Sequence, residues 1–400
     1  MKPNYTLLSV VCLVLCVPLS WSFLHRRSAM PPVPVVRFAT FNVAMNRDTQ
    51  GAVLAELRSG TCAQAQQIAE IVQRQEIDVL LLNELDYDDA GEAARVFAEQ
   101  YLAVGQNGQR PIQFEYSFVG AVNTGVPSGL DLDRDGRSDG PGDAWGFGRF
   151  PGQYGMALLS RHPILRDRVR TFRDLPWSRM PGALRPAGYY DDAVWAQLRL
   201  SSKSHWDVPI GIGPVAAAQV VHVLCSHPTP PVFDGPEDRN GCRNHDEVRF
   251  WVDYLTPGQN EWIVDDAGTA GGLPAAASFV LLGDLNCDPL DGDARREALA
   301  ALRSHARVAD PEPKGRGGAA QSQQQWGMNA SHRGDPALDT GDFPDEEGKG
   351  PGNLRLDYVL VSRDLPTFAC GVFWPQSYEP GVPLIAASDH RLVWVDVGTR

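Results

Sequence analysis

The chain has 400 residues, 43% of them hydrophobic and 21% charged, and a formal net charge of -13. Length alone allows two or three domains with sizeable buried cores. The acidic total argues against a surface that wraps a polyanion through bulk positive charge, because phosphate affinity comes largely from Lys and Arg; a nucleic-acid substrate stays compatible if a metal or a local groove supplies that charge.

Lys2 precedes the apolar run Leu7 to Leu19, and Ser20-Trp21-Ser22 offers small residues for cleavage. The pattern predicts a secretory signal peptide over residues 1–22, reaching 29 at most, and so an exported protein. The alternative is an uncleaved anchor, since apolar character continues weakly to Leu24. Residues 23–34 read as a linker and 35–398 as the folded part. Cys62, Cys225, Cys242, Cys287 and Cys370 remain after cleavage, an odd number, so at least one is unpaired or intermolecular in an exported protein. Cys225 and Cys242 bracket one loop and are candidates for a clamp, with two small buried thiols as the alternative.

Val35 to Val43 alternates as a strand and carries Asn42 near its end. Ala63 to Gln75 has the apolar spacing of a helix, and Ile77 to Leu82 is a buried strand ending in Asn83-Glu84. Two strand tips therefore present Asn42 and Glu84, and sites in layered α/β folds gather at such tips. Glu92 to Leu102 reads as a short helix. The loop at 123–152 is rich in Gly and Asp, and its Asp131, Asp133, Asp135 and Asp139 follow the opening of a calcium loop, with carboxylates at every second residue and Gly136 at the turn. The twelfth position holds Gly142 in place of Glu, so a solvated acidic turn is the competing reading.

Tyr154 to Ser160, Ala193 to Leu200 and Ala218 to Cys225 are predicted as strands, the last ending in Ser226-His227-Pro228. Arg243 to Leu255 is a predicted helix. Phe279 to Leu282 is a short buried strand that delivers Asp284 and Asn286 where it stops; side chains alternate along a strand, so the two point the same way while the extended geometry persists. Asp293 is the expected cap of a following helix through Arg303. Residues 314–353 show little periodicity and read as a second long loop. Leu354 to Val361 restores a strand containing Asp357, and the last strand, Leu392 to Val397, follows Ser388-Asp389-His390.

Phe41-Asn42-Val43, Asn83-Glu84-Leu85, Met156 to Pro163, Ser226-His227, Gly283-Asp284-Leu285-Asn286, Arg355-Leu356-Asp357-Tyr358 and Ser388-Asp389-His390 occur in one order. Together they resemble the endonuclease/exonuclease/phosphatase superfamily, the deoxyribonuclease-I-like fold, and within it an exported bacterial subgroup with the Asp-rich loop and Arg243-Asn244-His245-Asp246-Glu247. The resemblance implies an α+β fold, a four-layer α/β/β/α sandwich of two mixed sheets packed face to face with outer helices. It implies a metal-dependent hydrolase of phosphate esters, a phosphodiesterase or nuclease, with Mg2+ or Mn2+ held by Asn42, Glu84 and Asp389. By the same resemblance Asp284 orients or deprotonates water, Asn286 holds that water or a phosphate oxygen, His390 backed by Asp357 is the acid/base, and His227 donates to a phosphate oxygen or the leaving group. Tyr154 and Arg161 are candidate substrate contacts, and Ca2+ is the candidate ion of the 131–139 loop.

Two features depart from the pattern: Pro228-Thr229-Pro230-Pro231 follows the histidine, and the segments after His227 and before Arg355 are long. They leave the ester open between nucleic acid, phospholipid (as in a sphingomyelinase-like diesterase) and a small phosphomonoester. A catalytically inactive calcium-binding or adhesive module is the alternative from another class. No obligate protein partner is implied, and a monomer is expected.

Overall fold

The structure, a computed structural model, describes Met1 and residues 34–214 and 218–399. The expected signal peptide and nearly all of the linker lie outside the described residues. From Pro34 onward the first part of the chain runs β1 (Val35–Met45), α1 (Ala52–Arg58), α2 (Ala63–Arg74), β2 (Val79–Leu85), α3 (Glu92–Phe97), β3 (Tyr116–Phe118), β4 (Met156–Ser160) and β5 (Arg170–Thr171). It continues through α4 (Asp192–Trp195), β6 (Trp206–Ile212), β7 (Gln219–Ser226), α5 (Arg239–Leu255), β8 (Ser278–Asp284), α6 (Glu297–Ser304) and β9 (Val308–Ala309). Then follow α7 (Arg316–Gln325), β10 (Gly341–Asp342), β11 (Asn353–Leu354), β12 (Asp357–Ser362), β13 (Thr367–Val372) and β14 (Val393–Gly398).

Two six-stranded mixed sheets result, ordered β13-β14-β1-β2-β4-β3 and β5-β6-β7-β8-β12-β9. The pairs β1–β2 and β7–β8 are parallel, and the remaining ladders of both sheets are antiparallel. The period-two rule explains how the layers stack. On β2, Val79 and Leu81 enter the core between the sheets while Leu80 and Leu82 face the helical layer outside. On β8, Val280 and Leu282 face inward while Phe279 and Leu281 pack outward against α5 and α6 residues such as Trp251 and Leu299. Strands buried on both faces read as continuous apolar runs, and each aliphatic side chain so buried contributes about 1.5–3 kcal/mol of transfer free energy.

Several expectations need correction. Ala193 to Leu200 is not a strand: the Asp191 carboxylate accepts the Val194 amide N–H and caps the short helix α4, after which Leu198 and Leu200 are buried from an irregular segment. Asp293 does not cap α6, which begins at Glu297 without a side-chain cap. The 314–353 segment is no structureless loop, since it forms α7, a 3-10 turn at Gly327–Ser331 and the small β10–β11 hairpin. Cys225 and Cys242 form no clamp: all five cysteines from Cys62 onward are free, Cys225 in the core between the sheets and Cys242 in the outer layer. The strand β6, with Pro209 and Gly211 inside it, is absent from the sequence reading.

Candidate active site

Alternation also places the polar tips. Asn42 has the same parity as Val36 and Phe38, Asp284 the same as Val280 and Leu282, and Asp357 the same as Val359 and Val361, all of which face the other sheet. His227 continues the parity of Val221, Val223 and Cys225. These side chains therefore converge where the two sheets meet at one end. Within the second sheet Asp284 pairs directly with Asp357, and within the first Asn42 pairs with Asn83. Across the sheets, the Asn42 Nδ2 donates to Asp284 Oδ2 at 3.0 Å and to Glu84 Oε1 at 3.1 Å.

Two imidazoles flank Asp284. Its Oδ2 lies 3.7 Å from Nε2 of His227 and 3.7 Å from Nε2 of His390. The other nitrogen of His390, Nδ1, is 2.8 Å from Asp357 Oδ2. Thr340 fixes that carboxylate: its hydroxyl accepts the amides of Leu356 and Asp357, both at 2.9 Å, and donates to Asp357 Oδ2 at 2.7 Å. The Ser388 hydroxyl accepts the His390 N–H and donates to the Asn42 carbonyl, tying the His390 turn to β1. Phe343 stands edge-on to the His390 ring at 5.5 Å.

Burial alone would lower the His390 pKa, but the carboxylates of Asp357 and Asp284 outweigh it and hold the imidazolium up to about 10. Burial pushes the Asp284 carboxyl up to about 7, against the pull of His390. His227 goes the other way, well below the usual histidine range, through burial and the nearby charges of Lys203 and His390. The site thus sets a charged imidazole and a neutral one on either side of one carboxylate.

Asn286 donates its backbone N–H to Asp284 Oδ1 at 2.9 Å and its side-chain amide to the Pro228 carbonyl at 3.1 Å. Ala44, Glu84, Tyr154 and Asn286 all have left-handed backbone, with φ of 47°, 58°, 57° and 50°. Such strain in non-glycine residues persists only where surrounding bonds over-determine it, as they do here. Gly283 lets β8 pass close to β7, for a Cβ there would sit 2.0 Å from the Ser226 carbonyl oxygen.

Glu84 is half-buried and no Arg or Lys pairs with it or with Asp284 among the described residues. Among the described residues its oxygens accept only the neutral amides of Asn42 and Asn46, at 3.1 and 2.9 Å. Asp86 lies two residues on, its carboxyl pushed up to about 6 by burial. A half-buried carboxylate with neutral amides as its hydrogen-bond donors, in an oxygen-rich pocket, fits a hard divalent cation. Glu84 with Asn42 would hold it, and Asp389 is exposed beside His390.

Not every candidate falls in this place. Tyr154 does: its backbone N–H donates to Asp86 Oδ1, and its half-buried phenol lies within the field of Glu84. Arg161 does not. It pairs with Asp78 at 2.7 Å near the end of β4 where Ser160 meets Val79, whereas Met156 at the other end meets Asn83. In the acidic loop the carboxylates of Asp131, Asp133 and Asp143 come within 4.8 Å of one another. Asp135 and Asp139 are outside that group, and Asp139 pairs with Arg137. Asp143, next to the twelfth position, is the acidic group the calcium pattern did not point to.

The sequence reading missed Lys203, Thr340, Asn46 and Phe343. Lys203 precedes β6, a strand hidden by its Pro and Gly. Thr340 and Phe343 lie in the segment read as loop, where the run Thr340-Gly341-Asp342-Phe343 before Leu354 carries the only faint signal of a hairpin.

No curated protein matches the sequence. Solved structures that align with the chain include an endonuclease/exonuclease/phosphatase from Beutenbergia cavernae, at 20% identity over 91% of this chain and 71% of that one, with a TM-score of 0.48. Sphingomyelinase C from Streptomyces griseocarneus aligns at 15% identity over 92% of this chain and 100% of that one, with a TM-score of 0.46. A mannosyl-6-phosphatase from Bacteroides thetaiotaomicron aligns at 13% identity over 91% and 100%, with a TM-score of 0.43. The family model described as Endonuclease/Exonuclease/phosphatase family matches residues 39–390, which take in every strand tip of the site from Asn42 to His390. The chain therefore belongs to the endonuclease/exonuclease/phosphatase family of phosphoester hydrolases.

Proposed function

We propose that this phosphoester hydrolase is a divalent-metal-dependent phosphodiesterase whose water is activated at Asp284. The observation that carries the reading is the placement of Asp284 Oδ2 at 3.7 Å from both His227 Nε2 and His390 Nε2, with Asn42 linking the same oxygen to Glu84. Mg2+ or Mn2+ at Glu84 and Asn42, with Asp389 nearby, would polarise the phosphoryl group and offset charge on its oxygens. Asp284, with a pKa near neutrality, takes the proton of the attacking water. His390, held charged and oriented by Asp357, gives a proton or a charge-assisted hydrogen bond to a phosphoryl oxygen. Neutral His227 donates a hydrogen bond on the other side, to a phosphate oxygen or to the leaving oxygen. The bond of that leaving oxygen to phosphorus breaks as the water adds, and it departs as the alcohol after taking a proton from solvent or from His390. Asn286 holds the water or a phosphate oxygen.

A phosphomonoesterase and a phospholipid diesterase share this chemistry. A lipid diesterase calls for an exposed apolar loop; of Trp145-Gly146-Phe147 and Phe373-Trp374, Trp374 is buried and Trp145 packs on the outer core while Phe147 is exposed, and Phe233 and Trp326 are exposed elsewhere in the chain. Hydrolysis of a chromogenic phosphodiester and the matching monoester, with and without Mg2+, Mn2+ or Ca2+, tests the proposal in the wild type and in His390→Ala. Metal-dependent turnover of the diester, reduced by a factor of about 100 or more in the variant, is expected. Equal turnover in both proteins would remove His390 from the mechanism.

We also read the protein as exported; the N-terminal sequence of protein recovered outside the cytoplasm, starting near residue 23, is the check. A Ca2+ ion at Asp131, Asp133 and Asp143 should raise the Tm when Mg2+ is already saturating, and the rise should vanish in Asp133→Asn.

A further inference from the structure

We propose that Lys203 is a phosphate-binding residue, donating to a non-bridging oxygen of the bound ester from the side of the pocket formed by His227 and Asn286. The inference rests on the phosphoesterase reading of the same site and adds a group that reading does not use.

Lys203 is 5% exposed. A buried ammonium is costly unless its charge and its three donors are met. Among the described residues Nζ makes one hydrogen bond, 3.4 Å to the Pro228 carbonyl. Asn286 Nδ2 donates to that same carbonyl at 3.1 Å, so the ammonium and the amide sit side by side, one residue beyond His227. Lysine ion pairs among the described residues are those of Lys314 and Lys349. Glu247, the strongest charge facing Lys203, spends Oε1 on the Ser202 N–H and hydroxyl and Oε2 on the Thr229 N–H. Other groups facing it are Glu84, Asp284 and His227, which belong to the catalytic pocket, and Arg243, which repels it. The side chain is thus drawn toward the site without a partner that completes its bonds. Burial also holds its amine below the ordinary lysine range. An anionic oxygen arriving between His227 and Asn286 would supply both the missing acceptor and the missing charge, and a phosphoryl group is the anion this pocket exists to bind. A lysine serves such a role as a compact point charge.

The experiment is calorimetric titration of Lys203→Met and wild type with Mg2+ alone, and of the Mg2+-loaded proteins with inorganic phosphate. Loss of a cation that touches phosphate lowers phosphate affinity by about tenfold or more, while Mg2+ affinity stays equal or tightens, because a repelling charge has gone. A purely structural role moves neither or weakens both. Lys203→Gln, polar and closer in length, gives the same comparison if the methionine variant does not fold. Unchanged phosphate affinity in a folded variant, parallel loss of both ligands, or failure of both variants to fold would each overturn the assignment. Hydrolysis by the wild type separates the two levels: a wild type with no metal-dependent turnover removes the functional reading itself, whereas an active wild type and a phosphate-binding Lys203→Met remove Lys203 alone.

Discussion

Thr340 shows how a residue outside the reacting groups governs them. Its hydroxyl oxygen is locked by two backbone amides, so the proton it donates has one destination, Asp357 Oδ2. That oxygen also accepts from His390 Nδ1, while Asp357 Oδ1 is buried without a partner among the described residues. The orientation of the imidazole therefore rests on a carboxylate that Thr340 holds from one side. Thr340→Val keeps the shape and removes the bond. We expect kcat to fall about tenfold with KM within about threefold, and stability to drop by about 1–3 kcal/mol, the cost of an under-satisfied buried polar group. Steady-state kinetics and a denaturant melt measure both; an unchanged kcat would show that Asp357 needs no such support.

Helix α5 is the element that braces the site from behind. Its polar run does not face solvent. Arg243 donates to the carbonyls of Trp145, Arg199, Leu200 and Ser201; Asn244 donates to those of Thr229 and Leu285; Glu247 accepts from Ser202 and Thr229. Three loop segments, those of Lys203, Pro228 and Asn286, are thereby held on one helix, because their backbone groups are buried and need partners. On the front, the parallel pair β7–β8 carries His227 and Asp284, and its spacing depends on Gly283. In Gly283→Ala the added methyl would meet the Ser226 carbonyl at 2.0 Å, backbone that cannot swing aside. The expected result is destabilisation of about 1–3 kcal/mol or more from overpacking, together with loss of turnover as His227 and Asp284 separate. Wild-type melting and wild-type kinetics in that variant would contradict the close approach.

For the whole molecule, the site concentrates buried charge at the end where the sheets meet, and stability must feel it. The Asp284 pKa is raised from 3.8 to about 7, and that of His390 from 6.5 to about 10. In both cases the folded state binds the proton more tightly. The stabilisation is therefore fully present below the unfolded value and lost as pH rises, between about 4 and 7 for Asp284 and between about 6.5 and 10 for His390. Asp284 shares the Asn42 amide with Glu84, so the negative charge it gains as it ionises draws a divalent cation held at Glu84 and Asn42 more strongly, and the stabilising effect of that cation grows over this interval. The rise in Tm on adding Mg2+ should be larger at about pH 8 than at about pH 5, and Glu84→Gln should abolish most of it. Equal shifts at both pH values would mean that the ion binds elsewhere.

Much of this was legible in the residues alone. Apolar runs with a polar residue at the tip located Asn42, Glu84, His227, Asp284 and Asp357, because a strand buried on both faces has a signature that needs no neighbour to interpret. The ordered motifs then sufficed to imply the fold and its chemistry. Where local preference and tertiary packing disagreed, the chain alone misled. Alternation at Ala193 to Leu200 mimicked a strand, yet Asp191 capped a helical turn there; Pro209 and Gly211 argued against β6, yet pairing with β7 and buried side chains such as Val208 and Ile210 carried it. Roles that depend on what a side chain lacks were beyond reach. That Lys203 is buried with one bond, that Thr340 points into Asp357 and that Arg161 lies at the far end of its strand are facts of three-dimensional position. Sequence determined which groups could do chemistry, since that follows from residue type and parity; tertiary structure decided which of them meet, since desolvation and distance come from segments far apart in the chain.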